Sequence, residues 1–86
     1  METKGTWYCV YRLQSISTPS FGYTGVTANL HRRLQQHNRG ENPSTAPHAP
    51  FRLIFAAAFP DKSRALAFEA YLKSGSGHAF AKKRLW

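Results

Sequence analysis

Tyr23-Thr24-Gly25-Val26-Thr27-Ala28-Asn29-Leu30-His31-Arg32-Arg33-Leu34-Gln35-Gln36-His37-Asn38 reads as the end of a strand, a tight turn and a helix. Alternation puts Phe21, Tyr23 and Gly25 on one strand face, and the glycine allows another group to approach the backbone closely. Thr27 or Asn29 can cap the helix, because either side-chain oxygen accepts from a free N–H of the first turn. Gly40 suits its stop. At about 100° per residue, Leu30 and Leu34 form the buried stripe, and Arg33 and His37 share one flank at i,i+4. Arg32 and Gln36 point away. The two adjacent arginines are therefore unequal: Arg33 can be held against the sheet near Tyr23, whereas Arg32 is a solvated charge.

Upstream, Trp7-Tyr8-Cys9-Val10-Tyr11-Arg12-Leu13 is a β-branched and aromatic run with two largely apolar alternating sets, which predicts a strand covered on both faces. The polar segment Gln14 to Ser20 joins it to the second strand as a hairpin with a long loop. Downstream, Arg39 to Pro50 carries three prolines and no apolar period, so it is a loop. Phe51 to Phe59 is a third strand, apolar on both sets, with a central or covered position expected. Asp61 caps a long helix whose buried stripe is Ala65, Phe68 and Leu72, with Glu69 on its shoulder. Gly75 and Gly77 end that helix, and Ala79 to Trp86 forms a short basic helix docked through Phe80 and Leu85. The expected architecture is α+β: a small three-stranded antiparallel sheet flanked by helices in β-β-α-β-α-α order. Residues 1–86 make one domain with a core of about 7–85.

Composition narrows the function. Twelve Lys or Arg stand against four acids, giving a formal charge of +8 and a pI near 10.3, which suits a polyanionic partner. The charge is spread over separate elements, unlike a membrane-binding amphipathic helix. No run approaches the about 20 apolar residues of a membrane span, and Met1 to Gly5 lacks an apolar signal core. A cytoplasmic protein without membrane contact is expected. The single cysteine, Cys9, allows neither a disulfide framework nor a cysteine-based zinc motif.

Cutting a phosphodiester with a metal needs a carboxylate for a hard cation, a positive group for the phosphate and a group to handle the proton. Of the acids, Glu2 is terminal, Glu41 lies in the loop and Asp61 serves as a cap, which leaves Glu69. Glu69 and Lys73 also stand in the favourable i,i+4 order for an ordinary helix pair, worth about 0.2–0.5 kcal/mol. A single acid argues for one metal ion over a two-metal site.

The spacing of these residues resembles the GIY-YIG endonuclease family. Its first motif stands here as Cys9-Val10-Tyr11 and its second as Tyr23-Thr24-Gly25. The helix matches through Asn29-Leu30, Arg33-Leu34 and His37-Asn38, and the last long helix through Glu69 with Leu72-Lys73. The likeness runs from Trp7 to about Leu85. It is similar to the small stand-alone bacterial members related to the nuclease domain of excision-repair endonucleases.

That resemblance implies hydrolysis of DNA with one Mg²⁺ or Mn²⁺. Glu69 would ligand the metal and Arg33 would hold the scissile phosphate. Tyr11 would orient or activate water, Tyr23 would line the site, and His37 would assist proton transfer. Arg32, Arg39, Lys73, Lys82 and Lys83 are the expected nucleic-acid contacts. Where some members carry a lysine three residues after the second tyrosine, this chain has Val26, so a lysine-assisted base is excluded there. The alternative is a basic nucleic-acid-binding module on the same fold that does not cut. A protein partner that supplies specificity is a third possibility.

Overall fold

The computed structural model describes residues 6–86; Glu2 and the other residues of the Met1 to Gly5 segment lie outside them. Three strands form one antiparallel sheet: β1 (Tyr8–Ser15), β2 (Gly22–Thr27) and β3 (Phe51–Phe59), in the order β2-β1-β3. Helix α1 (Leu30–Asn38) lies between β2 and β3 in sequence, and α2 (Lys62–Lys73) and α3 (Gly75–Arg84) close the chain. This is the expected α+β order.

The caps follow local chemistry. Asn29 Oδ1 accepts from the Arg32 N–H at 3.1 Å and opens α1, while Asp61 Oδ1 accepts from the Arg64 N–H at 2.8 Å and opens α2. Each such cap is worth about 1 kcal/mol relative to alanine. After α1, Gly40 takes a φ of 74°, and the N–H groups of Gly40 and Glu41 bond back to the carbonyls of His37 and Gln36. This is the left-handed stop expected for glycine.

Because successive β1 side chains point to opposite faces, β1 feeds two cores. Val10 packs with Ala65, Leu72 and Ala81 of α2 and α3, joined by Tyr8, Phe59, Phe68, Leu85 and Trp86. Tyr11 and Leu13 pack with Phe51 under Leu30 and Leu34 of α1. Burying each aliphatic side chain contributes about 1.5–3 kcal/mol.

Three expectations need correction. β1, not β3, is the central strand, and β3 lies at a sheet edge with much of its length exposed. The register explains why both of its alternating sets are apolar. Arg12 pairs with Phe55 and Leu13 with Leu53, so a bulge at Ile54 shifts the alternation by one residue. Phe51 therefore serves the Tyr11 core, while Phe59 serves the Val10 core. Second, Gly75 and Gly77 do not end α2. Ser74 is at once the C-cap of α2 and the N-cap of α3, so both glycines open the next helix. Third, α3 docks through Gly77, Ala81 and Leu85, whereas Phe80 is exposed.

Candidate active site

The site grows from one cross-strand pair. Tyr11 on β1 stands opposite Gly25 on β2, and a β-carbon added at Gly25 would lie 2.6 Å from the Tyr11 hydroxyl oxygen. The glycine is required because the phenol ring lies across the backbone at that point. Tyr23, two residues earlier on the same strand face, sets its ring centroid 6.3 Å from that of Tyr11.

His37 arrives from α1 and is the most deeply buried residue of that helix, at 0% exposure; Leu30 and Leu34, expected to define the buried stripe, are half-buried. Its ring centroid lies 5.1 Å from that of Tyr23. Its Nε2 is 2.9 Å from the Tyr11 hydroxyl and its Nδ1 is 2.8 Å from Thr45 Oγ1. The Thr45 hydroxyl donates to the Asn42 carbonyl at 3.4 Å, so it accepts from Nδ1–H. Nε2 is then the acceptor for the Tyr11 O–H. The network runs in one direction from phenol through imidazole to hydroxyl and backbone carbonyl.

Electrostatics agree with that direction. The Tyr11 phenol is pushed up to about 12, first by burial and then by Tyr23, while the charge and a hydrogen bond of Arg33 pull it down and the charge of Glu69 raises it slightly. Burial, and then the Arg33 charge, lower the pKa of His37. At neutral pH the phenol is therefore protonated and the imidazole neutral, the states that the hydrogen bond requires.

Tyr11, Tyr23, Arg33 and His37 are thus brought together. Tyr11 is only 1% exposed, whereas Arg33, whose charge acts on its phenol, lines three surface grooves of about 330, 330 and 260 Å³. Glu69 stands at the margin: its charge is felt by Tyr11, but Oε2 accepts from Lys73 Nζ at 2.9 Å. The helix pair read from the i,i+4 spacing is therefore formed. Among the described residues no group of three or more His, Cys, Asp or Glu side chains could hold a metal ion.

The cations expected to meet nucleic acid are all exposed. Arg32 projects from α1 beside Arg33, Lys73 lies beside Glu69, and Lys82 and Lys83 are on the last turn of α3. Arg39 stands 3.9 Å from Glu41. Sequence reasoning missed Thr45, which is buried at 0% exposure in a short 3₁₀ segment's approach and fixes the His37 tautomer. Nothing in the proline-rich stretch around it marks it, since one threonine among Ser44, Ala46 and Pro47 has no periodic or motif signal.

Residues 7–83 match the GIY-YIG catalytic domain, so the chain belongs to that family of nucleases. Among its relatives is the UPF0213 protein YazA of Bacillus subtilis, 35% identical over 74 residues that cover 85% of this chain and 71% of that one. A structure-specific endonuclease subunit SLX1 homolog of Drosophila mojavensis is 39% identical over 78 residues, 80% of this chain but only 26% of that protein. The solution structure of the UPF0213 protein BH0048 of Bacillus halodurans superposes with a TM-score of 0.53 at 29% identity, covering 92% of this chain and 86% of that one.

Proposed function

We propose that this protein is a single-metal endonuclease that hydrolyses DNA phosphodiester bonds. The observation that carries the reading is the buried Tyr11–His37 hydrogen bond, with both groups under the influence of the Arg33 charge. A structural tyrosine needs only one acceptor. Here the acceptor is a neutral imidazole whose second nitrogen is itself oriented, and Arg33, the cation whose charge acts on the phenol among the described residues, lines the open grooves.

In this mechanism Arg33 binds a non-bridging oxygen of the scissile phosphate. Tyr11 accepts a proton from the attacking water as it passes its own proton to His37 Nε2, so no free phenolate is needed at neutral pH. Preplaced positive charge then meets the charge that develops on the phosphoryl group. Tyr23 holds the wall of the site against Tyr11 and His37.

The donor set fits a hard divalent cation such as Mg²⁺ or Mn²⁺. Glu69 offers a half-buried carboxylate, and Mg²⁺ in particular is commonly held by one or two carboxylates with water and substrate phosphate completing its shell. When bound, the ion would supply Lewis-acid stabilisation of phosphoryl charge. Glu69 would hold the ion through the oxygen that otherwise accepts from Lys73, leaving the Lys73 ammonium to contact the DNA.

One observation favours a module that binds without cutting: the Glu69 carboxylate already has a partner in Lys73. The experiment that separates the two is incubation with branched, nicked and duplex DNA in Mg²⁺ or Mn²⁺, against the same reactions with a chelator. The expected result is strand scission on at least one substrate that ends when the ion is removed. Salt-sensitive binding with no cleavage under any condition contradicts the nuclease reading. The likeness to a structure-specific endonuclease subunit motivates testing substrates of differing structure. The cytoplasmic location and a specificity-giving protein partner belong to the same proposal.

A further inference from the structure

Arg12 occupies the position on β1 between Tyr11 and Leu13, so its side chain lies on the sheet face opposite the candidate active site. Its guanidinium is held on three sides. Nη1 donates to Thr24 Oγ1 at 2.9 Å, the carbon Cζ sits 4.7 Å from the centre of the Trp86 ring, and the group lies against the Gly22 backbone so closely that a β-carbon there would collide with it. Nε is buried without a hydrogen-bond partner, and no carboxylate pairs with Arg12 among the described residues. Beside it is a cavity of about 220 Å³ lined also by Gln14, Ser20, His78 and Lys82, with no acidic side chain in its wall.

A purely stacking role for Arg12 needs only the Trp86 ring. That role does not explain an orphaned guanidinium nitrogen, a glycine that makes room for the group, or a lysine and a histidine of α3 gathered round the same cavity. Burial lowers the pKa of Arg12, so its charge is held there at a cost that an anion would offset. The planar fork of arginine matches phosphate oxygens.

We propose that this cavity is a second anion site, built to take a backbone phosphate of a nucleic-acid strand on the sheet face opposite Tyr11. The identification of the strand as nucleic acid rests on the function proposed above and on the basic last turn of α3, Lys82, Lys83 and Arg84, from which Lys82 lines the cavity. A nuclease gripping both sheet faces would favour DNA whose arms diverge.

The test is nuclear magnetic resonance of the isotope-labelled full chain, titrated first with inorganic phosphate and then with a duplex oligonucleotide. Both are expected to shift the Trp86 indole N–H and the Gly22 amide. Arg12→Gln should weaken oligonucleotide binding about tenfold, the loss of one charge-assisted hydrogen bond, and reduce the log–log salt slope by about 0.9. Should Arg12→Gln disturb the amide pattern of the fold, the His78→Gln, Lys82→Gln pair is expected to weaken binding in the same direction. Shifts confined to the Tyr23 and Arg33 side, or a response to inorganic phosphate with none to the oligonucleotide, would overturn the proposal. Cleavage is scored separately. Lost cleavage with these shifts intact counts against the nuclease reading alone, and intact cleavage without them counts against this site alone.

Discussion

Arg33→Ala is expected to lower the single-turnover rate of DNA cleavage by about 10³-fold, the lower end of what a charge-stabilising arginine contributes to phosphoryl transfer. The charge of Arg33 acts on both proton-handling groups and lowers the pKa of Tyr11 and of His37. Its loss therefore removes the phosphate contact and shifts both proton-handling groups. Arg33→Lys restores charge without the planar fork and should recover only part of the rate. Arg32 and Gln36, expected to point away, line one groove together with Arg33; Arg32→Ala, exposed there and without a shift on Tyr11 or His37, should change binding and its salt slope and leave the bound rate within a few-fold. Equal rate losses for the two arginines would show that the helix flank carries no special role.

The second large effect concerns pH. His37 must be neutral to accept the Tyr11 proton, and burial holds its pKa below the ordinary value of 6.5. The cleavage rate should therefore be level through neutral pH and fall on the acid side as His37 becomes protonated. His37→Gln should lose about 10²–10⁴ in rate, as expected for a proton-transfer partner, and should also lose that acid limb. Stability moves in the same direction. A folded-state pKa below the unfolded one means the unfolded chain binds more protons, so the His37 contribution is full above 6.5 and is lost as pH falls through the lower folded value. Thermal melts of the wild type at successive pH values read this without any substrate. A purely structural histidine would give the stability trend and no matching limb in the rate.

Much of this was legible in the sequence because local rules sufficed. Asn29, Asp61 and Gly40 cap or stop their helices by chemistry that spans three or four residues. Tyr11, Tyr23, Arg33 and His37 converge because strand alternation and helix periodicity already put them on facing surfaces. What stayed hidden depends on tertiary placement. The Ile54 bulge made an edge strand look like a covered one, since apolar residues were needed on both alternating sets. Ser74 serves two helices, so the glycines after it looked like a stop. Thr45 and Arg12 matter through what folds against them: an imidazole from α1 in one case, and Gly22 with Trp86 in the other. The helix wheel put His37 on a flank, but the structure places it wholly inside, where a hydrogen bond to Tyr11 becomes possible.

Glu69 is the carboxylate that would hold the proposed metal ion, and it is also the residue whose ordinary pairing with Lys73 is formed. Comparison of wild type with Glu69→Ala, on branched and nicked DNA in Mg²⁺ or Mn²⁺, therefore bears most directly on the central claim. Metal-dependent cleavage by the wild type and none by Glu69→Ala, with DNA binding retained, is the predicted result. Cleavage that persists at the wild-type rate in Glu69→Ala would contradict it.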